Sequence, residues 1–421
     1  MSSYHSQEQT LAQLPEPSAL EIKHSSELIE LIVREIEQHG VMSFHEYMNR
    51  VLYEPGLGYY SAGTTKFGAA GDFITAPEVS PLFGSCLAQQ CESIFSQGCS
   101  RQLLEFGAGS GRLCEQILSS LNAPVRYSIV EVSADLKARQ QQYLRDELSP
   151  AVFESIEWLD ALPEQFDGIM FGNEVLDAMP VNVVLKDGQW QELGVGFDDG
   201  RFVWRPYLGP NDMGRNDIEP SSAEHNNEQQ SEAIKTIQKI EADLIAAGFG
   251  TLPEGYCTEI NLNYKPWLEA LQASCHQAVI LMIDYGYEQS QYYHPERSSG
   301  TLTCYYRHRT HPDPFVYPGL QDITAFVDFD AFADAAIDVG FTVCGLASQR
   351  QFLLHNKLLE AAQEISQKAS EAGDTQAQIE VAQQVKTLTL PSAMGERFQV
   401  IGLQKNIDIK IEALTAQAGA R

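Results

Sequence analysis

The residues whose types and spacing could do chemistry begin at Leu103–Arg112, LLEFGAGSGR. An apolar run ending in Glu105 and Phe106 reads as a strand, Gly107, Gly109 and Gly111 as a tight turn, and Leu113, Ile117, Leu118 and Leu121 as one face of a following helix. Glycines at alternate positions let the backbone pass close to a ligand with no Cβ in the way. Such a strand-to-helix turn belongs at the carboxyl edge of a parallel sheet, where open α/β folds bind nucleotides. The pattern is E-x-G-x-G-x-G, with Arg112 where a dinucleotide fingerprint has its last glycine. An acid just ahead of the glycines repels a pyrophosphate and suits a ligand that carries a cationic amino group.

S-adenosylmethionine, with its ammonium and sulfonium, fits that description. RYSIVE is a second short apolar strand, and it ends at Glu131. That is about 20 residues after the turn, where a carboxylate can accept hydrogen bonds from both ribose hydroxyls. NAD enzymes share this acid, so it supports an adenosine ligand without choosing between the two. SIEWLDAL then places Asp160 after Trp158 and Leu159, an acid and apolar side chains able to hold an adenine. FDGIMFG runs straight into Asn173, Glu174 and Asp177 of NEVLDAMPV. Four strand ends in series thus deliver polar groups to one edge.

The elements that must position these groups follow the chain in order. Residues 1–24 read as a flexible N-terminus. Residues 25–100 hold two amphipathic helices, one over Ser26–His39 and one capped by Ser43 and Glu46, and then the glycine-rich loop Tyr53–Gly84. A loop that long in a compact domain is functional more often than not, and a lid over the ligand is expected. Residues 101–405 form the core, with insertions at about 181–260 and 287–322, and residues 406–421 a tail. Around Asp187-Gly188 and Asp199-Gly200 the first insertion alternates as antiparallel hairpins added to the sheet, followed by a polar stretch at 208–232. AVILMIDYG is a buried central strand carrying Asp284. Residues 287–322 read as a second long loop, 358–388 as one long helix, and Arg397–Lys405 as the closing strand.

Composition narrows the partners. With 57 acidic against 28 basic residues the formal charge is −29, which disfavours nucleic acid and anionic membranes. No apolar run approaches the 18 residues or so of a spanning helix, so no membrane insertion is expected. Eight cysteines without a C-x-x-C pair read as reduced thiols, and the acidic start is unlike a transit peptide. A bacterial cytoplasmic location is expected. His308, His311 and Asp313 lack convincing metal spacing, so no metal is expected.

Taken together, the chain resembles the class I S-adenosylmethionine-dependent methyltransferases, and more closely the MidA-type family, whose mitochondrial members assist complex I assembly and methylate protein arginine. GDFITAPEVSPLFG (71–84), LLEFGAGSGR (103–112), NEVLDAMPV (173–181) and GTLTCYYRHR with PGLQDIT (300–324) carry the resemblance, which covers roughly residues 25–405. It implies a Rossmann-like α/β fold, a mostly parallel sheet with helices on both faces, extra N-terminal helices and inserted hairpins. It also implies that Gly107, Gly109 and Gly111 approach the methionine part of the cofactor, with Glu105 facing its ammonium. Glu131 would hold the ribose and Asp160 the adenine amine, with Phe106, Val132, Leu159 and Asn173 completing the site. Gly71, Asp72, Phe73 and Thr75 would cover it from the lid.

The substrate implied is a protein with a target arginine, a respiratory-complex subunit being one candidate. Guanidinium stays protonated, with a pKa above about 12, so carboxylates must bind it and take its proton. Glu174 and Asp177, with Asn173, are the catalytic candidates, and Asp284 is a further one. The N-P-P-Y motif of base-amine methyltransferases is absent where NEVLD stands. Three alternatives stay open: a NAD-dependent oxidoreductase, a small-molecule methyltransferase, and a non-enzymatic assembly factor that binds the cofactor.

Overall fold

Seven strands lie side by side in the sheet that carries the predicted site. They are β1 (Gln102–Phe106), β2 (Arg126–Val130), β3 (Ile156–Leu159), β4 (Phe166–Asn173), β5 (Cys275–Tyr287), β6 (Thr342–Ser348) and β7 (Phe398–Lys405), in the order β6-β7-β5-β4-β1-β2-β3. The five from β3 to β5 run parallel, and β7 pairs antiparallel with both β5 and β6. β4 and β5 are near-continuous apolar runs because helices cover both of their faces. The α/β class and mostly parallel sheet are those expected.

The computed structural model describes residues 10–11, 13–61, 74–209 and 230–415. Among these the chain divides into two compact units. One comprises Met1–Thr64, Ala178–Asn263 and Glu288–Phe326, the other Thr65–Asp177, Tyr264–Tyr287 and Val327–Arg421. The second contains this sheet, whose eighth strand, Val327–Asp328, pairs with the end of β5, and a core around Leu103, Tyr127, Ile169, Phe171, Leu281 and Val400. The first has its own core, in which Phe44, Tyr47 and Val51 pack with Val183, Val195 and Phe202.

Five local expectations are corrected. The first long helix starts at Ala19, not Ser26, because Ser18 and Glu21 form a reciprocal capping box that supplies an earlier start. The hairpins of 182–206 do not extend the parallel sheet. They form a separate antiparallel sheet with Met42–Ser43 and Cys257–Ile260, since alternation specifies a strand with one buried face but not its partner. The stretch 287–322 is not all loop. Thr303–Tyr306, Arg309–His311 and Asp322–Thr324 pair antiparallel, turned by Arg307 and His308 in left-handed conformations, and strands this short show no alternation. The helix over 358–388 breaks at Gly373 into Leu358–Glu371 and Thr375–Thr389, the second capped by Asp374. Finally, the stretch Tyr53–Gly84 is not all loop: Ala76–Val79 is helical, and an extended Ser80 separates it from the helix Pro81–Ser96.

Candidate functional site

Register decides what stands where. Phe106 lies opposite Val130 on one side and Gly172 on the other, Val130 lies opposite Leu159, and Asn173 lies opposite Ile283. The next residue along each strand is Gly107, Glu131, Asp160, Glu174 or Asp284. The predicted groups therefore form one row across the carboxyl edge of the parallel strands, where open α/β sheets bind ligands.

At the centre is the glycine turn. Gly107, Gly109 and Gly111 have φ of 60°, 54° and 88°, a region that costs any residue with a Cβ about 1–2 kcal/mol. A Cβ at Gly107 would also come within 3.2 Å of Val175 Cγ2, so the turn and the segment after β4 are in close contact. Gly111 caps α1 (Arg112–Ser120), whose first-turn N–H groups face the same edge. Glu78, from the helix Ala76–Val79, braces the turn. One of its carboxylate oxygens accepts from Ser110 Oγ and the other pairs with Arg112 Nε at 2.8 Å.

Glu105 sits two residues before the row, with its carboxyl buried. It is 2% exposed, and Oε2 accepts from the Tyr127 hydroxyl at 2.7 Å. Burial pushes the carboxyl up to about 8, opposed by the Tyr127 hydrogen bond and reinforced by Glu131. Glu131 is also buried. Its Oε1 accepts from the Ser133 N–H at 2.9 Å and its Oε2 from Gln140 Nε2 at 2.9 Å. Asp160 is exposed and pairs with Lys137 at 2.9 Å. Val132 is largely exposed and Leu159 half-buried beside it in sequence order along the edge, which leaves apolar surface there. Phe106 is buried edge-on against Trp267, centroids 5.4 Å apart.

After β4 the acids gather. Glu174 continues the strand by donating its N–H to Ile283 O at 2.9 Å, yet its φ is +55°. A non-glycine residue in that region costs about 1–3 kcal/mol and persists where the surroundings fix it. What fixes it is Asp284. Its Oδ2 accepts from the N–H groups of Val175, Leu176 and Asp177 at 3.0, 2.9 and 3.2 Å, and its Oδ1 from Tyr285 N–H at 2.9 Å. Asp284 is fully buried; burial and the neighbouring Asp177 and Glu174 carboxylates drive its own carboxyl well above the ordinary range, against those four donors. Asp284 thus braces the turn and is not displayed toward a substrate as its sequence position suggested. Asn173 donates Nδ2 to Glu174 Oε1 at 3.0 Å. Its Oδ1 is buried with no hydrogen-bond partner among the described residues, a vacancy costing about 1–3 kcal/mol that an N–H donor would relieve.

Gly71, Asp72 and Phe73, and with them residues 62–70 of the expected lid, lie outside the described residues. Thr75 is at the N-cap of Ala76–Val79 with no side-chain capping bond. Gln140 went unrecognised as part of the site, although it falls between Leu136 and Leu144 at helical spacing. A glutamine on a buried stripe must be hydrogen-bonded, and that was the available signal. No cluster of three metal-ligating side chains occurs among the described residues.

The site fits S-adenosylmethionine: a glycine cradle a Cβ would fill, a buried acid directly after β2, and an acceptor-rich end beyond β4. Comparison with known proteins agrees. The family described as "Putative S-adenosyl-L-methionine-dependent methyltransferase" matches residues 86–347. A Burkholderia thailandensis protein crystallised bound to S-adenosyl-homocysteine is 38% identical, with a TM-score of 0.82 over 96% of this chain and 98% of its own. Mitochondrial protein arginine methyltransferase NDUFAF7 from Rattus norvegicus is 26% identical, covering 91% of this chain and 85% of its own length. Its Drosophila melanogaster homolog is 27% identical over 92% and 87%. Fold, site and relatives converge, and the chain belongs to this family of S-adenosyl-L-methionine-dependent methyltransferases.

Proposed function

We propose that the methyl acceptor is an arginine of a protein substrate. The observation that carries this reading is the acidic end of β4, where Glu174 and Asp177 stand beside the glycine turn on a backbone braced by the buried Asp284, with Asn173 Oδ1 as a further acceptor. A planar guanidinium, with its fork of N–H donors, is the biological nucleophile best matched to such a set. The naming of the relatives as arginine methyltransferases supports the same reading.

In this reading Gly107, Gly109 and Gly111 hold the methionine end of the cofactor, Glu131 its ribose, and Asp160 with Val132 and Leu159 its adenine. S-adenosylmethionine supplies an electrophilic methyl on a sulfonium. Glu174 and Asp177 orient the guanidinium and concentrate it at the reacting edge, which is where most of the rate gain of a displacement arises. One guanidinium proton leaves as its nitrogen gains the methyl group, and Glu174 accepts it. Asn173 holds Glu174 in place for that task. The reaction takes place in a bacterial cytoplasm, in keeping with eight cysteines that form no disulfide, and a respiratory-complex subunit is one candidate substrate.

The test uses lysate from cells lacking the protein, incubated with the pure enzyme and methyl-labelled S-adenosylmethionine. Label recovered as methylarginine in a protein band supports the reading, and Glu174→Ala should abolish it while S-adenosylhomocysteine still binds within a few-fold of wild type. Label found only in small molecules would refute the protein acceptor. Equal loss of binding and transfer in Glu174→Ala would refute its catalytic role.

A further inference from the structure

α2 (Ala134–Glu147) turns a buried stripe of Leu136, Gln140 and Leu144 onto the sheet. Leucines there need only packing, but Gln140 is fully buried and its amide must find partners. It finds three, two on loops of the carboxyl edge and one near the end of β3. Its Nε2 donates to Gly109 O at 3.1 Å and to Glu131 Oε2 at 2.9 Å, and its Oε1 accepts from Trp158 Nε1 at 3.1 Å. The amide orientation is forced, because a carbonyl and a carboxylate can only accept and an indole N–H can only donate. The glycine turn after β1, the acid after β2 and the tryptophan of β3 are therefore tied to a single side chain.

We propose that Gln140 is a positioning residue for the ribose: it holds the Glu131 carboxylate in one orientation relative to the glycine turn, so that selectivity for the ribose hydroxyls depends on it. This rests on the reading of Glu131 as the ribose acceptor. Glu131 Oε1 accepts from the Ser133 N–H, a bond within its own loop. Gln140 fixes the other oxygen and, through Gly109, ties it to the turn that holds the rest of the ligand. A displacement of only a few tenths of an ångström weakens a charge-assisted hydrogen bond, whose geometry is narrow.

The experiment measures binding of S-adenosylhomocysteine and its 2′-deoxy analogue to the full-length protein by calorimetry. Wild type is expected to prefer the ribose form by on the order of tenfold or more. Gln140→Met keeps length and bulk but removes all three bonds, and should reduce that preference to about threefold or less. Gln140→Glu keeps the acceptor for Trp158 and loses both donors, and should do the same should the methionine variant fold poorly. Trp158→Phe removes only the third bond and should preserve the preference. A methionine variant that binds both ligands more weakly with the preference intact would make Gln140 a prop of the fold and overturn the proposal, as would unchanged binding. Loss of the preference in Glu131→Ala but not in Gln140→Met sinks the inference alone. A wild type indifferent to the 2′-hydroxyl sinks the assignment of Glu131, and the inference with it.

Discussion

Replacing Glu105 with glutamine should change how stability responds to pH. The carboxyl is fully buried and shares Oε2 with the Tyr127 hydroxyl. Burial raises it from 4.5 to about 8, so the folded protein holds a proton there at pH 7 that the unfolded chain has released. An acid with a raised folded value contributes stability that is fully present below about pH 4.5 and is lost as pH rises through about 8. The slope between these limits is about 1.4 kcal/mol per pH unit, which sets a ceiling of about 5 kcal/mol over the window. Glutamine has nearly the same shape, can accept from Tyr127 and does not titrate. Its amide N–H groups need an acceptor, which shifts the stability of the variant by a constant and leaves the slope untouched. Urea unfolding at half-unit steps from pH 4.5 to 8.5, followed by far-ultraviolet circular dichroism, gives the difference between the two proteins at each pH. Wild type should lose stability relative to Glu105→Gln progressively up to about pH 8 and then level off. Parallel profiles across that range would show that Glu105 is ionised in the folded state at neutral pH, and the account of a buried, protonated acid would be wrong.

Asp284→Asn tests the brace behind the acidic turn. With the carboxamide oxygen at the Oδ2 position the three N–H groups of Val175, Leu176 and Asp177 keep an acceptor but the Tyr285 N–H meets an amino group instead of Oδ1, so about 1–3 kcal/mol of stability should be lost; a loss under about 1 kcal/mol in denaturant titrations would show that the turn is held otherwise. Gly107→Ala places a methyl in left-handed backbone 3.2 Å from Val175. It should cost about 1–2 kcal/mol and, by shifting the turn, weaken S-adenosylhomocysteine binding about tenfold. Unaltered affinity in calorimetry would place the ligand elsewhere.

Much of this protein was legible in its sequence because the signals are local. A strand, three glycines at alternate positions and an amphipathic helix lie within twenty residues around Gly107, and steric rules alone demand glycine in such a turn. Acids at the ends of successive apolar runs, Glu131, Asp160 and Glu174, could be placed at one edge because parallel strands joined by helices all end on the same side. The capping of Phe44–Tyr53 by Ser43 was readable for the same local reason. Tertiary structure decided what the patterns left degenerate. Alternation in 182–206 makes strands but does not say which sheet they join, since pairing partners far apart in sequence are chosen by the core each face can bury. Nothing local shows that Asp284 turns inward to four backbone donors while Glu174, some 110 residues earlier, is held in left-handed backbone by that arrangement. Nor does a glutamine in a polar helix disclose that it ties two loops and β3 together. A hydrogen bond is directional and short, so which polar groups meet is settled only once packing has brought the backbone to within an ångström of its final place.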